Sequence, residues 1–503
     1  MSKITNVFVL ALENRSFDHM LGFSGITGTD AATGKPTSIN GLTGKESNTY
    51  AGHVYPVTEG AEWCMMVGPG HEFADTLEQL AGLGSHYCGS YPPINNSGFV
   101  ADFVAAIANM PASMSFLHVS PGEVMRCYSP SQLPSLVSLA QHYAVCDNWF
   151  SGMPGPTWPN RFFILAASSG GMDISPSATE EGIWSSVDGF EFENGTIFDK
   201  LTGQWRIYAG GSLCIAAALQ GIDMADIHKY SNFASDVKKY TNSGPKFTFI
   251  EPDYGSILGL AAGNYSGGTS QHPLDDVRPG DNLIAQTYNA IAASPVWNSS
   301  LLIITWDEHG GFYDHVAPPA AVPPGDEPKN RNTNQWGFKF DRYGVRVPAV
   351  VVSPLIQKNS IDHRLYDHSS IPATIEKLFG LKALTQRDAN ANNLTPLLSL
   401  TTPRTDTLRL AAPAPAAIPH IDLISRSSAD LTGPMYKAGN VPGFLHVALR
   451  HDIQLSPPEE HDAIIARAQK VQTLGEAAKY MQSVEDKIEA ARDVSVGTAA
   501  AQT

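Results

Sequence analysis

Val7-Phe8-Val9-Leu10-Ala11-Leu12-Glu13-Asn14-Arg15-Ser16-Phe17-Asp18-His19 is an unbroken apolar run that ends abruptly in polar and charged side chains. Six consecutive apolar residues suit a strand buried on both faces, as in a parallel sheet, and chemistry collects where such strands end. The pattern recurs along the chain. Residues 247–250 lead into Glu251-Pro252-Asp253, residues 301–305 into Asp307-Glu308-His309, and residues 349–352, opened by Pro348, stop at Ser353-Pro354. Helical patterns lie between these runs, over 133–143 and over 371–379, the latter after a Ser-Ser cap with Pro372 near the first turn. Strands alternating with helices predict an α/β fold with a mainly parallel sheet.

The chain has 503 residues, with 33 Lys+Arg against 49 Asp+Glu and a net charge of −16. Such a balance argues against a nucleic-acid binder, which needs clustered cations to displace phosphate counterions, and against attraction to anionic membrane surfaces. Hydrophobic residues make up 43% and charged residues 16%, as in a globular enzyme, while 44 Gly and 35 Pro predict long shaped loops. Five cysteines, Cys64, Cys88, Cys127, Cys146 and Cys214, are too scattered for a disulfide framework or a zinc ribbon. Met1-Ser2-Lys3 and the apolar residues after it superficially resemble a signal peptide. That run is short, is interrupted by Asn6 and meets Glu13-Asn14-Arg15 where a small-residue cleavage site belongs, so a strand is expected, in a protein that is cytoplasmic or exported by a signal-independent route. No stretch of about 18 apolar residues predicts a membrane span. Near Pro403 the character changes. Residues 411–419 are Ala/Pro-rich and read as a linker, and 461–492 read as helix with Ile464, Ile465, Ala468, Val471 and Leu474 on one face. The expected division is a catalytic domain over 1–402 and a smaller, partly helical C-terminal module over 403–503.

Glu13 and Asn14 offer hard oxygen ligands at a strand end, with Arg15 and Asp18 placed to orient them. Asp307-Glu308 offers a second acidic strand end, followed by His309-Gly310-Gly311 and Asp314-His315. Two acidic ends facing one crevice repel each other unless a cation lies between them, which predicts a divalent metal site. Between them in sequence lies Gly155-Pro156-Thr157-Trp158-Pro159-Asn160-Arg161-Phe162. Pro159 suits the first turn of a helix continuing through 162–167, so Thr157 falls where unpaired N–H groups and the positive dipole end attract an anion. A threonine hydroxyl there, beside a divalent ion, can lose its proton and attack phosphorus; the plain alternative is a helix cap. A third set is Asp253, His272 in His272-Pro273-Leu274-Asp275-Asp276, and His368 in Tyr366-Asp367-His368-Ser369-Ser370. One carboxylate with two imidazoles suits zinc, and a structural role for each histidine is the alternative.

Five motifs in order, ENRSFDH at 13–19, GPTWPNR at 155–161, HPLDD at 272–276, WDEHGGFYDHV at 306–316 and YDHSSIPATIEKLFG at 366–380, carry a resemblance. From residue 4 to about 388 the chain resembles the phosphoesterase family that includes bacterial phosphatidylcholine-hydrolysing phospholipases C, plant non-specific phospholipases C and acid phosphatase A. The resemblance implies an alkaline-phosphatase-like fold and metal-dependent phosphoryl transfer through a covalent Ser or Thr intermediate. It makes Glu13, Asn14, Thr157, Asp307 and Glu308 metal ligands, Thr157 the nucleophile and His272 a catalytic group beside the phosphate. Asp253 and His368 are added as ligands by analogy with two-metal members of the wider superfamily. The implied cofactor is zinc, one or two ions, with calcium the other candidate. The implied substrate is a phosphatidylcholine-type glycerophospholipid at a membrane or micelle surface, cleaved to diacylglycerol and phosphocholine; a phosphomonoesterase is the nearest alternative. A quaternary ammonium headgroup favours aromatic faces, and Trp158, Tyr254 and Tyr313 are the candidates by position. Trp158 stands where many relatives carry a smaller polar residue. His71 and Glu72, in a segment resembling a bacterial phospholipase C subgroup, are either further ligands or the start of a capped helix. No G-x-S-x-G run of a serine lipase is present, and Pro159 and Arg161 reproduce sulfatase spacing around Thr157 without a sulfatase nucleophile.

Overall fold

The apolar run at the start of the chain forms β1 (Asn6–Leu12), every residue of which is buried. A computed structural model describes residues 4–110, 118–178, 183–255, 267–330, 334–411, 431–435 and 439–500. In it β1 lies inside a ten-stranded sheet with β2 (Thr27–Asp30), β3 (Pro36–Ser38), β4 (Ala144–Cys146), β5 (Trp205–Ala209), β6 (Ile227–Lys229), β7 (Phe247–Glu251), β8 (Ser300–Trp306), β9 (Ala349–Val352) and β10 (Ser360–Asp362). The order across the sheet is β6-β5-β7-β1-β8-β9-β4-β10-β2-β3. Only β9 and the edge strand β3 run against the rest. The sheet is therefore mainly parallel, as expected. The direction of β9 was not legible, because a continuous apolar run reports burial on both faces and not strand polarity.

Register decides what meets at the strand ends. β1 pairs in parallel with β7, Leu10 opposite Ile250, and with β8, Leu12 opposite Trp306. Glu13-Asn14 and Asp307-Glu308 thus leave the sheet side by side. A slip of one residue would turn every side chain of β1 to the other face, so burial of the strand fixes the alignment of the acidic ends.

The helices that matter for the site are α1 (Phe17–Leu21), α2 (Phe73–Ala81), α3 (Phe99–Ala108), α4 (Pro134–His142), α5 (Thr157–Ala166), α6 (Val277–Ala292) and α7 (Ser370–Phe379). α4 packs on α6, and α5 on α7. The C-terminal region contributes α8 (Val441–Gln454), α9 (His461–Ala468) and α10 (Leu474–Ala500). The expected linker at 411–419 lies, apart from Ala411, outside the described residues. Val441, Phe444, Leu445 and Ile488 join the same hydrophobic cluster as β1 and β8. Arg450 fastens α8 to the body by donating to the carbonyls of Ala217, Leu219 and Asp188. Among the described residues no helix is long and apolar enough to cross a membrane.

Candidate active site

Asn14 turns the chain at the end of β1 through a left-handed backbone conformation (φ 58°), which asparagine adopts more readily than most residues. The turn points its peptide N–H at Asp307, whose Oδ1 accepts it at 3.0 Å and the Glu308 N–H at 2.7 Å. The Asn14 Nδ2 donates to Glu308 Oε1, and the other Glu308 oxygen accepts from the Gly310 N–H at 2.6 Å. Gly310 is required here: at φ 66°, a Cβ would stand 2.1 Å from the Asn14 carbonyl oxygen. These bonds use the Asn14 peptide N–H and one carboxamide N–H and leave its Oδ1 buried without a partner.

The second wall is α5. Pro156 caps the helix and Thr157 is its first residue, so Thr157 is not the cap that a threonine near a helix start suggests. Its Oγ1 is buried with no hydrogen-bond partner. Asn160 holds the approach loop, accepting from the Met153 N–H and donating to the carbonyls of Met153, Gly155 and Pro156. Four residues after Thr157, on the same helix face, Arg161 is fully buried. Its Nε donates to Asp307 Oδ2 at 2.9 Å, its Nη2 to the carbonyls of Ala11 and Leu12, and its Nη1 stands 3.7 Å from Glu251. Arg161 thereby ties the helix that Thr157 begins to three strand ends. Its position in GPTWPNR, one helical turn beyond Thr157, was the signal that could have assigned it this role.

Both Glu13 carboxylate oxygens are also buried without a partner. Burial and, after it, Asp307 push the Glu13 carboxyl well above its ordinary value. Burial raises Glu308 to about 8, reinforced by Asp307 and opposed by His71. Orphaned oxygens from a carboxylate, a carboxamide and a hydroxyl, beside two more carboxylates, form the oxygen-rich donor set a divalent cation takes. By donor chemistry, Glu13, Asn14, Thr157, Asp307 and Glu308 are the residues that would hold such an ion.

A tighter acidic group lies nearby. Among the described residues only Asp18, Asp314 and His315 bring three acidic or imidazole ligand atoms within 4.8 Å of one another. Its counter-charge is already present: the buried Arg346 guanidinium donates to Asp18 Oδ1 and Asp314 Oδ1, each at 2.9 Å. His315 and the Asp18 peptide N–H occupy the remaining oxygens. We therefore assign this cluster to holding α1 in place.

Three histidines surround the centre. His272 is buried, and its Nδ1 has no partner. Burial, with His71 and Arg15, holds it well below its ordinary value, so it is neutral. The His71 ring stands edge-on to it at 5.9 Å. Burial presses His71 down, but Glu308 and Glu72 outweigh it and hold the imidazole above its ordinary value. His309 donates from Nε2 to Gln79 Oε1 at 2.6 Å, while Gln79 Nε2 donates to Gly70 and Asp102. Glu72 begins α2, its N–H bonded to Asp75 and its Oε2 to the Ser175 N–H.

The other expected site residues are placed differently. His368 accepts from Trp149 Nε1 at Nδ1 and donates from Nε2 to the Asp307 carbonyl, so neither nitrogen is left for an ion; it supports a ligand's backbone. Asp253 closes its own turn, its Oδ1 accepting from the Gly255 N–H. Trp158 is fully buried against Phe444 and Gly443, where a Cβ on the glycine would lie 2.3 Å from the indole. Tyr254 packs beneath Arg161 and Phe444 with its hydroxyl on Glu251, and Tyr313 is buried against Phe99. These three aromatics are core residues and present no open face to a headgroup.

The raised carboxyls give a sign for pH dependence. Between about 4.5 and about 8, folded metal-free protein retains a Glu308 proton that the unfolded chain has lost, so stability falls as pH rises through that window. A cation bound there would replace that proton. The gap in melting temperature between metal-loaded and EDTA-treated protein is expected to widen from pH 5 to pH 8, a tenfold difference in proton affinity corresponding to about 1.4 kcal/mol. Scanning calorimetry at four pH values checks this; a constant or shrinking gap would contradict it.

Carboxylate-bearing strand ends of a mainly parallel sheet, tied by Arg161 to the helix that Thr157 begins, make this an α/β protein with its candidate site at the strand ends. The chain belongs to the Phosphoesterase family, which it matches over residues 4–382. It is a phosphodiester hydrolase. It is 36% identical to Arabidopsis thaliana non-specific phospholipase C6 over 444 residues, 84% of this chain and 78% of that one. To Mycobacterium tuberculosis phospholipase C B it is 26% identical over 468 residues, 84% and 81% of the two chains. Among solved structures, a Vibrio parahaemolyticus protein of the alkaline phosphatase superfamily is similar at 15% identity and a TM-score of 0.30, covering 77% of this chain and 74% of that one.

Proposed function

We propose that the protein is a metal-dependent phospholipase C that cleaves phosphatidylcholine-type lipids to diacylglycerol and phosphocholine through a phosphothreonine intermediate. The observation that carries this reading is the set of buried, unpartnered oxygens on Glu13, Asn14 and Thr157, on elements that Asn14 and Arg161 tie to Asp307 and Glu308. The phospholipases C among its relatives support the substrate class. When bound, the ion supplies positive charge that favours the Thr157 alkoxide and the charge developing on phosphoryl oxygens. Thr157 Oγ1, giving up its proton to solvent, attacks phosphorus in line, forming the P–O bond as the bond to the glycerol oxygen breaks. The α5 N-terminus offers its free N–H groups to the phosphoryl oxygens. His71, held toward its protonated form by two carboxylates, donates a proton to the departing alkoxide, with His272 beside it as a neutral partner. Water then attacks phosphorus, restoring Thr157 and releasing phosphocholine.

The test compares a choline phosphodiester with a simple phosphomonoester, before and after EDTA and with zinc or calcium restored. Preference for the diester, lost on metal removal and recovered on add-back, is expected. Faster monoester turnover would make the protein a phosphatase. Full activity in demonstrably metal-free protein would sink the metal-dependent reading.

A further inference from the structure

Five large hydrophobic side chains are exposed among the described residues, and two of them, Leu83 at 69% and Trp336 at 42%, lie on loops joined through one aromatic cluster. Phe73 is the hub. Its ring centroid is 5.6 Å from Trp336, 5.6 Å from Tyr87, 6.3 Å from Tyr91 and 5.0 Å from Phe338. Phe73 directly follows Glu72 and His71, and the His71 ring stands edge-on to His272 at 5.9 Å. The cluster therefore continues outward from the candidate centre to the surface. Leu83 stands on the loop leaving α2, the same loop that carries Tyr87 and Tyr91. Residues 82–98 contain no Asp, Glu, Lys or Arg, and neither do residues 334–338, in a chain of net charge −16. The Gln335 and Trp336 peptide N–H groups are pinned by Asp173, which holds the Trp336 loop in this position.

Resting on the phospholipase reading, we propose that Leu83, Tyr87, Tyr91 and Trp336 form a docking surface for an uncharged or zwitterionic lipid surface, placing the bilayer over the active site. Charge selects this occupant. An acidic protein is repelled by an anionic bilayer, whereas an uncharged aromatic and aliphatic rim meets no such penalty at a zwitterionic one. Trp336 suits it because an indole joins an apolar ring to an N–H that can stay at the headgroup level, while Tyr87 and Tyr91, whose hydroxyls are turned into the protein, contribute ring faces.

The experiment uses the full-length protein and two variants, Leu83→Asp and Trp336→Ala, with phosphatidylcholine vesicles and with a short-chain phosphatidylcholine kept monomeric in solution. Each variant is expected to weaken vesicle binding by sedimentation about tenfold, since each withdraws one apolar anchor. Vesicle hydrolysis falls in parallel, monomer hydrolysis stays at the wild-type rate, and phosphatidylserine in the vesicles weakens wild-type binding. Wild-type vesicle binding by both variants would overturn the docking surface. So would equal losses on monomer and vesicle, which would place these residues in the catalytic pocket, or a wild-type dimer that Leu83→Asp dissociates, which would make the patch a self-interface. If the wild type hydrolyses neither form of the lipid, the phospholipase reading fails, and vesicle binding is judged separately by sedimentation.

Discussion

Replacing Thr157 by alanine is expected to lower kcat on a choline phosphodiester by about three orders of magnitude or more, with the metal still bound and the fold intact. The first part follows from position. Thr157 is the hydroxyl residue that begins α5, the helix that Arg161 ties to Asp307, and alanine leaves phosphorus with no protein oxygen to bond there. The second part follows because four of the five candidate metal donors remain and because the hydroxyl holds nothing within the fold. Its Oγ1 makes no hydrogen bond and the helix is capped by Pro156, so the substitution breaks no bond within the protein. Removing a buried polar atom without a partner relieves a desolvation cost, which offsets the lost methyl contacts, and the net change in stability is expected to stay within about 1 kcal/mol. Thr157→Ser, which keeps the oxygen, should recover most of the turnover. Metal content by mass spectrometry and urea unfolding separate loss of chemistry from loss of structure. Near wild-type turnover by Thr157→Ala with metal bound would end the covalent mechanism.

The strand ends were legible because a strand buried on both faces needs a continuous apolar run, and such a run stops where the sheet stops. Glu13-Asn14 and Asp307-Glu308 could be located that way, and Pro159 located the helix start at Thr157. What sequence could not supply was direction around an axis and partners far along the chain. Trp158 adjoins Thr157 in sequence but is rotated by about 100° on the helix, away from the face shared by Thr157 and Arg161 and into the core against α8. The role of His368 depends on Trp149, 219 residues away, and that of His309 on Gln79, 230 residues away. An imidazole whose nitrogens are both engaged looks the same in sequence as one free to take an ion. The C-terminal helices read as separate because an Ala/Pro-rich segment precedes them, yet Phe444 packs directly on Trp158 and Tyr254. Composition marks a change of chain character and does not report where the next helix docks.

Arg161→Met is expected to be the most destabilising single change near the site, by about 3–5 kcal/mol in metal-free protein. Three carboxylates feel this one guanidinium. Asp307 is bonded to it at 2.9 Å, Glu251 stands at 3.7 Å, and Glu13, whose oxygens have no other partner, is drawn down by its charge. Burial opposes the Arg161 charge, but Tyr254 and those carboxylates outweigh it and hold the guanidinium well above its ordinary value, so it stays charged although fully buried. Methionine fills much of the volume and removes the charge together with the bonds to Ala11, Leu12 and Asp307. The cost is therefore electrostatic and not a cavity: like charges are left facing one another at the ends of β1, β7 and β8. Arg161→Lys keeps a charge but cannot place donors on Asp307 and on the β1 carbonyls at once, so it should recover only part of the loss. Urea unfolding of EDTA-treated wild type and both variants measures this. An Arg161→Met protein within about 1 kcal/mol of wild type would mean that the buried carboxylates take up protons to escape the repulsion, and a compensating rise in proton uptake on folding would then have to be found.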